Sequence, residues 1–299
     1  MFESPTLLTF ESRNLLVLST PEESMKFKKF LSIPVFSVFL LVGFVYYITV
    51  FIFIDNWLGL QSSAGSLNAL IFTFLAFLSL FSFFVCILTE PGGVPSTYVP
   101  DVEDSQVCEQ EPKKTGVHLR HCDKCSAYKP PRAHHCRVCR RCVLRMDHHC
   151  LWINNCVGHR NYKAFVVLVL YATMASIYSS VIVVSCCALQ TDTSGRAPLK
   201  IFYISCLAMI VSLSLTLGTL LSWHIYLIMH NMTTIEYYEG KRAAWLARKS
   251  GQIYRHPFDV GAYRNIALIL GPSMLKWLCP TAVSHLKDGI NFPTARDNS

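Results

Sequence analysis

A chain of 299 residues in which 52% of the side chains are hydrophobic and only 15% are charged is too apolar for a soluble protein of this size. The net charge of +8 favours contact with anionic lipid headgroups at a membrane surface. Composition and charge therefore exclude a soluble globular domain and favour a protein embedded in a bilayer. We identify no internal repeat.

Four uncharged segments are predicted to cross the membrane, because each exceeds the ~20 residues that a helix needs to span about 30 Å of hydrocarbon. They are Leu31–Ile54, Leu67–Thr89, Ala164–Leu189 and Ile201–Met229. Segments 1–30, 90–163 and 230–299 hold 4, 12 and 9 of the 27 Lys and Arg residues, whereas connections 55–66 and 190–200 hold none and 2. The excess of positive charge predicts that both termini and segment 90–163 face the cytosol.

The second predicted helix is followed by Glu90-Pro91-Gly92-Gly93, which should end it abruptly. Segment His121–Cys156 then brings seven cysteines and five histidines into 36 residues. Two Cys-x-x-Cys pairs within it, 122/125 and 136/139, have the spacing of zinc ligands. Two Cys3His sites would use six of the seven cysteines, with Cys142 and Cys156 and two histidines completing them. Cys150 is then left over.

The spare cysteine Cys150 follows Asp147, His148 and His149. A thiol becomes a strong nucleophile when a base takes its proton and an acid orients that base. In an extended strand residues i and i+2 lie on one side, so His148 can reach Cys150 while His149 points toward a metal. The pattern predicts Cys150 as nucleophile, His148 as base and Asp147 as its partner. A thiol at a membrane surface suggests fatty acyl chemistry.

Beyond the fourth predicted helix, Asn231–Gly251 mixes basic residues with Trp245 and Leu246. This composition is typical of a helix lying on a membrane surface, and a solvated charged linker is the alternative.

The string from Cys122 to Phe165 resembles the Cys-rich domain of DHHC-type protein S-acyltransferases (palmitoyltransferases); it reads CDKCSAYKPPRAHHCRVCRRCVLRMDHHCLWINNCVGHRNYKAF. Further similarities are Glu90-Pro91-Gly92 at the family's Asp-Pro-Gly turn, the Thr-Thr-x-Glu motif at Thr233–Glu236, and the segment Phe258–Asn265. The resemblance implies an all-α polytopic membrane protein: four transmembrane helices, at 31–89 and 164–229, with a small cytosolic zinc-bound Cys-rich domain, 90–163, between helices 2 and 3. Cytosolic segments 1–30 and 230–299 would flank them.

The resemblance also implies two interleaved structural zinc ions. The first would bind Cys122, Cys125, His135 and Cys142, and the second Cys136, Cys139, His149 and Cys156. Cys150 would carry the acyl group, Thr234 would support the Asp147 region, and Asn265 would pack the C-terminal segment against the membrane helices.

The expected reaction moves a long-chain acyl group, mainly palmitoyl, from acyl-coenzyme A to cysteines of membrane-associated proteins by a ping-pong mechanism through acyl-Cys150. The tail would lie among the four helices, with Trp152 as a wall of that cavity or as an interface anchor. Lys129, Arg132 and His134 could bind the coenzyme A phosphates. The bilayer is an expected partner and nucleic acid is not. The protein would reside in the endomembrane system or the plasma membrane.

Other interpretations of the zinc segment stay open. It could be a purely structural module, a partner-recruiting module of the RING ubiquitin-ligase kind, or a basic knuckle that binds nucleic acid. An inactive family member is also conceivable, since Leu151 stands where the family usually has Pro. Pro would bias Cys150 toward extended backbone, whereas Leu only permits it. We expect activity to survive, because the two zinc sites constrain the loop.

Overall fold

The computed structural model describes residues 32–100, 120–189 and 197–295. The expected N-terminal segment 1–30 lies outside them. Four helices are long and apolar enough to cross a membrane: α1 Ile33–Leu58, α2 Ser63–Leu88, α3 Tyr162–Leu189 and α4 Ala197–Met229. The prediction of four membrane helices is thus confirmed, with bounds that differ from the expected ones by a few residues.

Helix α1 contains a π-helical stretch, Ile48–Ile54, in its C-terminal half. Within it the Thr49 hydroxyl donates to the Val45 carbonyl (2.7 Å) and shares a hydrogen bond with the Ser179 hydroxyl of α3 (2.7 Å). This pairing satisfies two polar groups at membrane depth, where water cannot do so. It also joins α1 to α3 near the end remote from the Cys-rich segment.

Helix α2 ends where the sequence predicts. Gly92 has φ +102°, a conformation that side chains with a Cβ rarely adopt. This turn lets the Pro91 and Gly92 carbonyls accept hydrogen bonds from Arg160 N (3.1 Å) and Leu144 N (3.0 Å). The end of α2 is thereby tied directly to the Cys-rich domain.

The Cys-rich domain consists of three short antiparallel hairpins. Strand β1 (His121–Cys122) pairs with β2 (Ala127–Tyr128), β3 (His134–Cys136) with β4 (Arg141–Val143), and β5 (His148–Cys150) with β6 (Asn155–Val157). All named strands in the described ranges belong to these hairpins, so the rest of the described fold is helical with connecting turns.

Two helices follow the membrane region. Helix α5, Thr234–Lys249, occupies the segment in which a helix was predicted, and Thr233 with Glu236 forms a capping box at its start. Helix α6, Ala262–Leu270, is amphipathic and is followed by a 3-10 turn, Met274–Lys276.

Asn265, on α6, is fully buried. Its side-chain amide donates to the Met229 carbonyl at the end of α4 (2.7 Å) and to Asp259 Oδ1 (2.7 Å), and its oxygen accepts from Val260 N (3.1 Å). These bonds hold the C-terminal segment against α4, which is where the sequence analysis expects this residue.

Candidate active site

The four side chains expected to bind the first zinc ion come together between the first two hairpins. His135 Nδ1 lies 3.5 Å from Cys122 Sγ, 3.2 Å from Cys125 Sγ and 3.9 Å from Cys142 Sγ. All four ligand atoms lie within 4.8 Å of one another.

The second set forms the same arrangement one hairpin further on. His149 Nδ1 lies 3.6 Å from Cys136 Sγ, 3.4 Å from Cys139 Sγ and 3.6 Å from Cys156 Sγ. In tetrahedral zinc with Zn–S of ~2.3 Å and Zn–N of ~2.1 Å, sulfur and nitrogen are about 3.6 Å apart. Both Cys3His clusters therefore fit a tetrahedral ion with no open coordination position.

Cys150 belongs to neither cluster. Strand β5 is extended, so His148 and Cys150 share a face while His149 points into the second cluster. The His148 ring donates from Nδ1 to Asp147 Oδ2 (2.7 Å), and the Cys150 thiol is close enough to the ring to contribute to the rise in its pKa. The Asp147 bond fixes the tautomer and leaves Nε2 available for a proton from Cys150.

The Asp147 carboxylate is buried and receives two more hydrogen bonds from the start of α5. Thr234 N donates to Oδ1 (2.9 Å) and the Thr234 hydroxyl donates to Oδ2 (2.8 Å). Burial alone would raise the pKa of Asp147, but the bonds from His148 and Thr234 hold it below its usual range. Asp147 is therefore ionised and fixed, and Thr234 supports it as the sequence analysis expects.

Burial alone would lower the pKa of His148, but the hydrogen bond with Asp147 and the nearby Cys150 thiol raise it to about 9. A ring of this basicity can accept the proton of a thiol beside it. The three side chains thus have the arrangement that the sequence analysis expects of a nucleophile, a base and an orienting acid.

The Cys150 side chain lies in an apolar cluster to which all four membrane helices contribute. Its buried members from these four helices are Val35 of α1, Phe83, Cys86 and Ile87 of α2, Tyr162, Ala164, Phe165, Val166 and Val169 of α3, and Ile228 of α4. The thiol therefore sits at the boundary between the polar Cys-rich domain and the hydrocarbon-like interior of the helix bundle.

Asn155 fixes this boundary and was not identified from the sequence. It pairs with Cys150 across the β5–β6 hairpin, and its amide donates to the carbonyls of Cys86 (3.1 Å), Ile87 (3.4 Å) and Thr89 (3.0 Å). The last carbonyls of a helix have no partner within it, so a buried amide that bonds them anchors the hairpin firmly. The hairpin also keeps Cys150 extended although Leu151 replaces the family's Pro.

Arg132 has a different environment from the one that the sequence analysis expected. It is only 3% exposed, and it donates to both carboxylate oxygens of Glu236 (2.6 and 2.8 Å) and to Asn231 Oδ1 and O. Its guanidinium lies 4.5 Å from the Phe258 ring centre and 4.8 Å from that of Phe292. With its donors occupied inside the protein, Arg132 joins the Cys-rich domain to α5 and is not placed to bind coenzyme A phosphates.

The other three expected substrate contacts differ in their surroundings. His134 is half-buried, and burial together with Arg120 lowers its pKa to about 4, so it is neutral and weakly suited to phosphate. Lys129 is half-buried at the edge of the same domain. Trp152 lies in the β5–β6 turn next to Cys150, is 59% exposed, and stands outside the buried cluster.

Neither His224, which the sequence suggests is an ordinary histidine at the membrane edge or surface, nor Tyr162 was assigned to the site from the sequence. His224 is 1% exposed, its Nδ1 lies 3.1 Å from the Tyr162 hydroxyl, and its ring centre is 6.1 Å from that of His148. The Phe165 ring packs edge-on against both histidines. This layer packs against His148, and no spacing rule could reveal it, because His224 comes from α4 whereas Tyr162 and Phe165 come from α3.

A family model described as DHHC palmitoyltransferase matches residues 116–241. The chain is 63% identical to Probable protein S-acyltransferase 15 of Arabidopsis thaliana, over 86% of this chain and 100% of that protein. It is 52% identical to Probable protein S-acyltransferase 16 of the same plant, over 89% and 94%. It is also 36% identical to Palmitoyltransferase ZDHHC20 of Homo sapiens, over 59% and 47%. The chain therefore belongs to the DHHC family of protein S-acyltransferases and is a multi-pass membrane enzyme of protein palmitoylation.

Proposed function

We propose that this enzyme transfers a long-chain acyl group, mainly palmitoyl, from acyl-coenzyme A to protein cysteines through a thioester on Cys150. The observation that carries the proposal is the position of the Cys150 thiol. It lies on the same face of strand β5 as the His148 ring, with which it interacts electrostatically, and it belongs to an apolar cluster that includes residues of all four membrane helices.

In the first step His148 Nε2 takes the Cys150 proton and the thiolate attacks the thioester carbonyl of the donor. The carbon–sulfur bond to coenzyme A breaks, and coenzyme A leaves as a thiol with the proton that His148 returns. In the second step a substrate thiol gives its proton to His148 and attacks acyl-Cys150. Cys150 leaves and is restored, so atoms and charges balance over the cycle.

The acyl chain would extend from Cys150 into the apolar cluster between the helices. Transfer of apolar chain from water is worth ~0.8 kcal/mol per CH₂, so a sixteen-carbon chain should be strongly preferred over an acetyl group. Trp152 would contact the chain close to its carbonyl or anchor the hairpin at the bilayer interface. Lys129 is the basic residue that we keep as a phosphate contact for coenzyme A.

Zinc in the two Cys3His clusters would hold the hairpins in place without entering the reaction, because all four positions of each ion would be filled by protein. The excess of Lys and Arg in segments 90–163 and 230–299 supports a cytosolic position for the active site in an endomembrane or plasma membrane. Membership of a transferase family favours this enzyme over the two binding-module alternatives.

The test uses the purified full-length protein and radiolabelled palmitoyl-coenzyme A. Label should attach through a hydroxylamine-sensitive bond, and Cys150→Ser should abolish it while zinc stays at about two ions per chain. Cys279→Ser is the matched control, because this exposed thiol lies outside both clusters. Undiminished labelling of Cys150→Ser, or loss of zinc from it, would refute the assignment.

The ping-pong order has its own measurement. Acyl-enzyme freed from donor should pass its label to a cysteine peptide without further acyl-coenzyme A. If transfer requires both substrates together, a direct transfer replaces the two-step scheme even though Cys150 remains essential.

A further inference from the structure

A second polar site lies away from Cys150, in a cleft of about 910 Å³ between the start of α3, helix α6 and segment 285–293. Four basic side chains line it: Arg145, Lys163, Arg264 and Lys287. One carboxylate, Asp288, faces them, and its Oδ1 accepts hydrogen bonds from Ile290 N (3.0 Å) and Asn291 N (3.2 Å). The formal charge of the lining is therefore strongly positive.

Arg145 is the most informative member of this set. It is 4% exposed, its guanidinium donates to Asn231 Oδ1 (3.3 Å) and lies 5.0 Å from the Tyr162 ring centre. No carboxylate lies within ion-pair distance of it in the described part of the chain. Burial and the neighbouring Arg132 lower its pKa only to about 10, so it stays charged. Only the more distant carboxylates of Glu236 and Asp147 offset its charge, so burial of this cation is costly, and an anion in the adjoining cleft would reduce that cost.

The other cations differ in how they can act. Lys163 Nζ donates to the carbonyls of Leu270, Lys276 and Ala282, so it contributes positive potential and no free donor. Arg264 and Lys287 are exposed at the mouth of the cleft, where they can contact a ligand.

Two histidines also line the cleft, and their rings are uncharged. His159 and His285 donate from Nε2 to the carbonyls of Lys287 (3.0 Å) and Ile269 (3.0 Å). Burial lowers the pKa of both rings. Gly289, with φ +78°, passes so close to His159 that an added Cβ would lie 2.6 Å from the ring, so this wall of the cleft is tightly closed.

The position of the cleft indicates where its ligand comes from. It adjoins the first residues of the membrane helix α3, and the nearby side chains Leu268, Met274, Leu275 and Leu278 are exposed and apolar. Exposed apolar groups beside a membrane helix face lipid, whereas cations just above them meet lipid headgroups.

From this geometry we propose that the cleft binds the phosphomonoester headgroup of an anionic membrane lipid. The dianion of a phosphomonoester matches the excess of positive charge better than a phosphodiester monoanion does. The cleft is connected to the residues around Cys150 through Asn231. Arg145 donates a hydrogen bond to Asn231, and Thr234, three residues further along the chain, donates to Asp147. Ligand binding should therefore stabilise the contact of the C-terminal segment with the Cys-rich domain.

The experiment measures thermal unfolding and native mass spectra of the full-length protein in detergent with three probes: dioctanoyl phosphatidic acid, dioctanoyl phosphatidylcholine and inorganic phosphate. Phosphatidic acid should raise the unfolding temperature and remain bound, and phosphatidylcholine should do neither. Arg264→Gln/Lys287→Gln should weaken this binding about tenfold or more, since it removes two charged contacts. The control Arg242→Gln/Arg248→Gln removes two charges from exposed positions on α5 and should bind normally.

Each remaining outcome has a definite meaning. An equal response to inorganic phosphate would support the anion site and assign it to free phosphate. No response of the wild type to any probe, or equal loss in both double variants, would overturn the proposal. So would a raised KM for palmitoyl-coenzyme A in Arg264→Gln/Lys287→Gln, because the cleft would then belong to the donor site. If Cys150 is labelled by palmitoyl-coenzyme A but phosphatidic acid neither binds nor raises the unfolding temperature, the lipid site is refuted and the proposed function is not.

Discussion

The buried ion pair between Arg132 and Glu236 allows a sharp test of the fold around the site. Replacement of Arg132 by Met keeps an apolar stem between Phe258 and Phe292 but removes the guanidinium. Glu236, 8% exposed, then remains buried without its countercharge. Breaking a buried pair from one side costs ~3–5 kcal/mol, so Arg132→Met should lower the free energy of unfolding by that amount.

The measurement is denaturant unfolding of the purified protein in detergent, with zinc content followed in parallel. Arg137→Met is the matched control, because Arg137 is an exposed basic residue of the same domain. Arg132→Lys should recover only part of the loss, since an ammonium cannot make the two parallel bonds. Arg132→Met/Glu236→Gln should be more stable than Arg132→Met alone, because the double variant also removes the carboxylate that Arg132→Met leaves without its partner.

The same variants decide between the two roles considered for Arg132. If it bound a coenzyme A phosphate, Arg132→Met would raise the KM for palmitoyl-coenzyme A and leave the free energy of unfolding unchanged. That result would refute the structural assignment. We expect the opposite: reduced stability, and a KM near that of the wild type in the fraction that remains folded.

The stability difference between wild type and Glu236→Gln should be constant from about pH 5.5 to 8. Burial would raise the pKa of Glu236, but Arg132 lowers it to about 2. The stabilisation by this carboxylate is therefore complete above the ordinary carboxyl pKa and declines only as the pH falls from about 4.5 toward 2. Asn155→Leu should reduce the rate of autoacylation with zinc content unchanged, because the hairpin loses its bonds to the end of α2; an unaltered rate would contradict its positioning role. Thr234→Ala should slow autoacylation about tenfold by removing a hydroxyl donor from Asp147, and Thr234→Ser should restore it. Cys142→Ala should lower zinc from about two ions to about one, which metal analysis measures directly.

Hydropathy predicted the membrane helices because lipid imposes one simple requirement on length and polarity. The three hairpins were not predicted, since their strands have two or three residues and show no apolar alternation. The role of Arg132 could not be predicted either. Its partner Glu236 lies 104 residues away, and twelve basic residues share its segment. The anchoring role of Asn155 could not be predicted from the sequence. Its partners are backbone carbonyls, which every residue has, so no side-chain pattern indicates them.

One signal was present in the sequence and was missed. The statement that the chain has no internal repeat is wrong for the Cys-rich domain, where each ligand of the first cluster recurs fourteen residues later in the second. Positions 122, 125, 135 and 142 correspond to 136, 139, 149 and 156. The hairpins β3–β4 and β5–β6 also have the same register, in which His135 faces Cys142 and His149 faces Cys156.

This repeat explains why a thiol is left without a metal. A His-Cys doublet occurs three times, at 121–122, 135–136 and 149–150. In the middle doublet the histidine completes one cluster and the cysteine begins the next. In such an interleaved series, the histidine of the first doublet and the cysteine of the last doublet belong to neither metal cluster. These residues are His121 and Cys150. His121 is exposed and pairs only with Asp123 and the Tyr128 ring among the described residues. Cys150, in the last doublet, lies in the apolar cluster between the helices, so the proposed nucleophile is the thiol for which no further described hairpin provides a metal site.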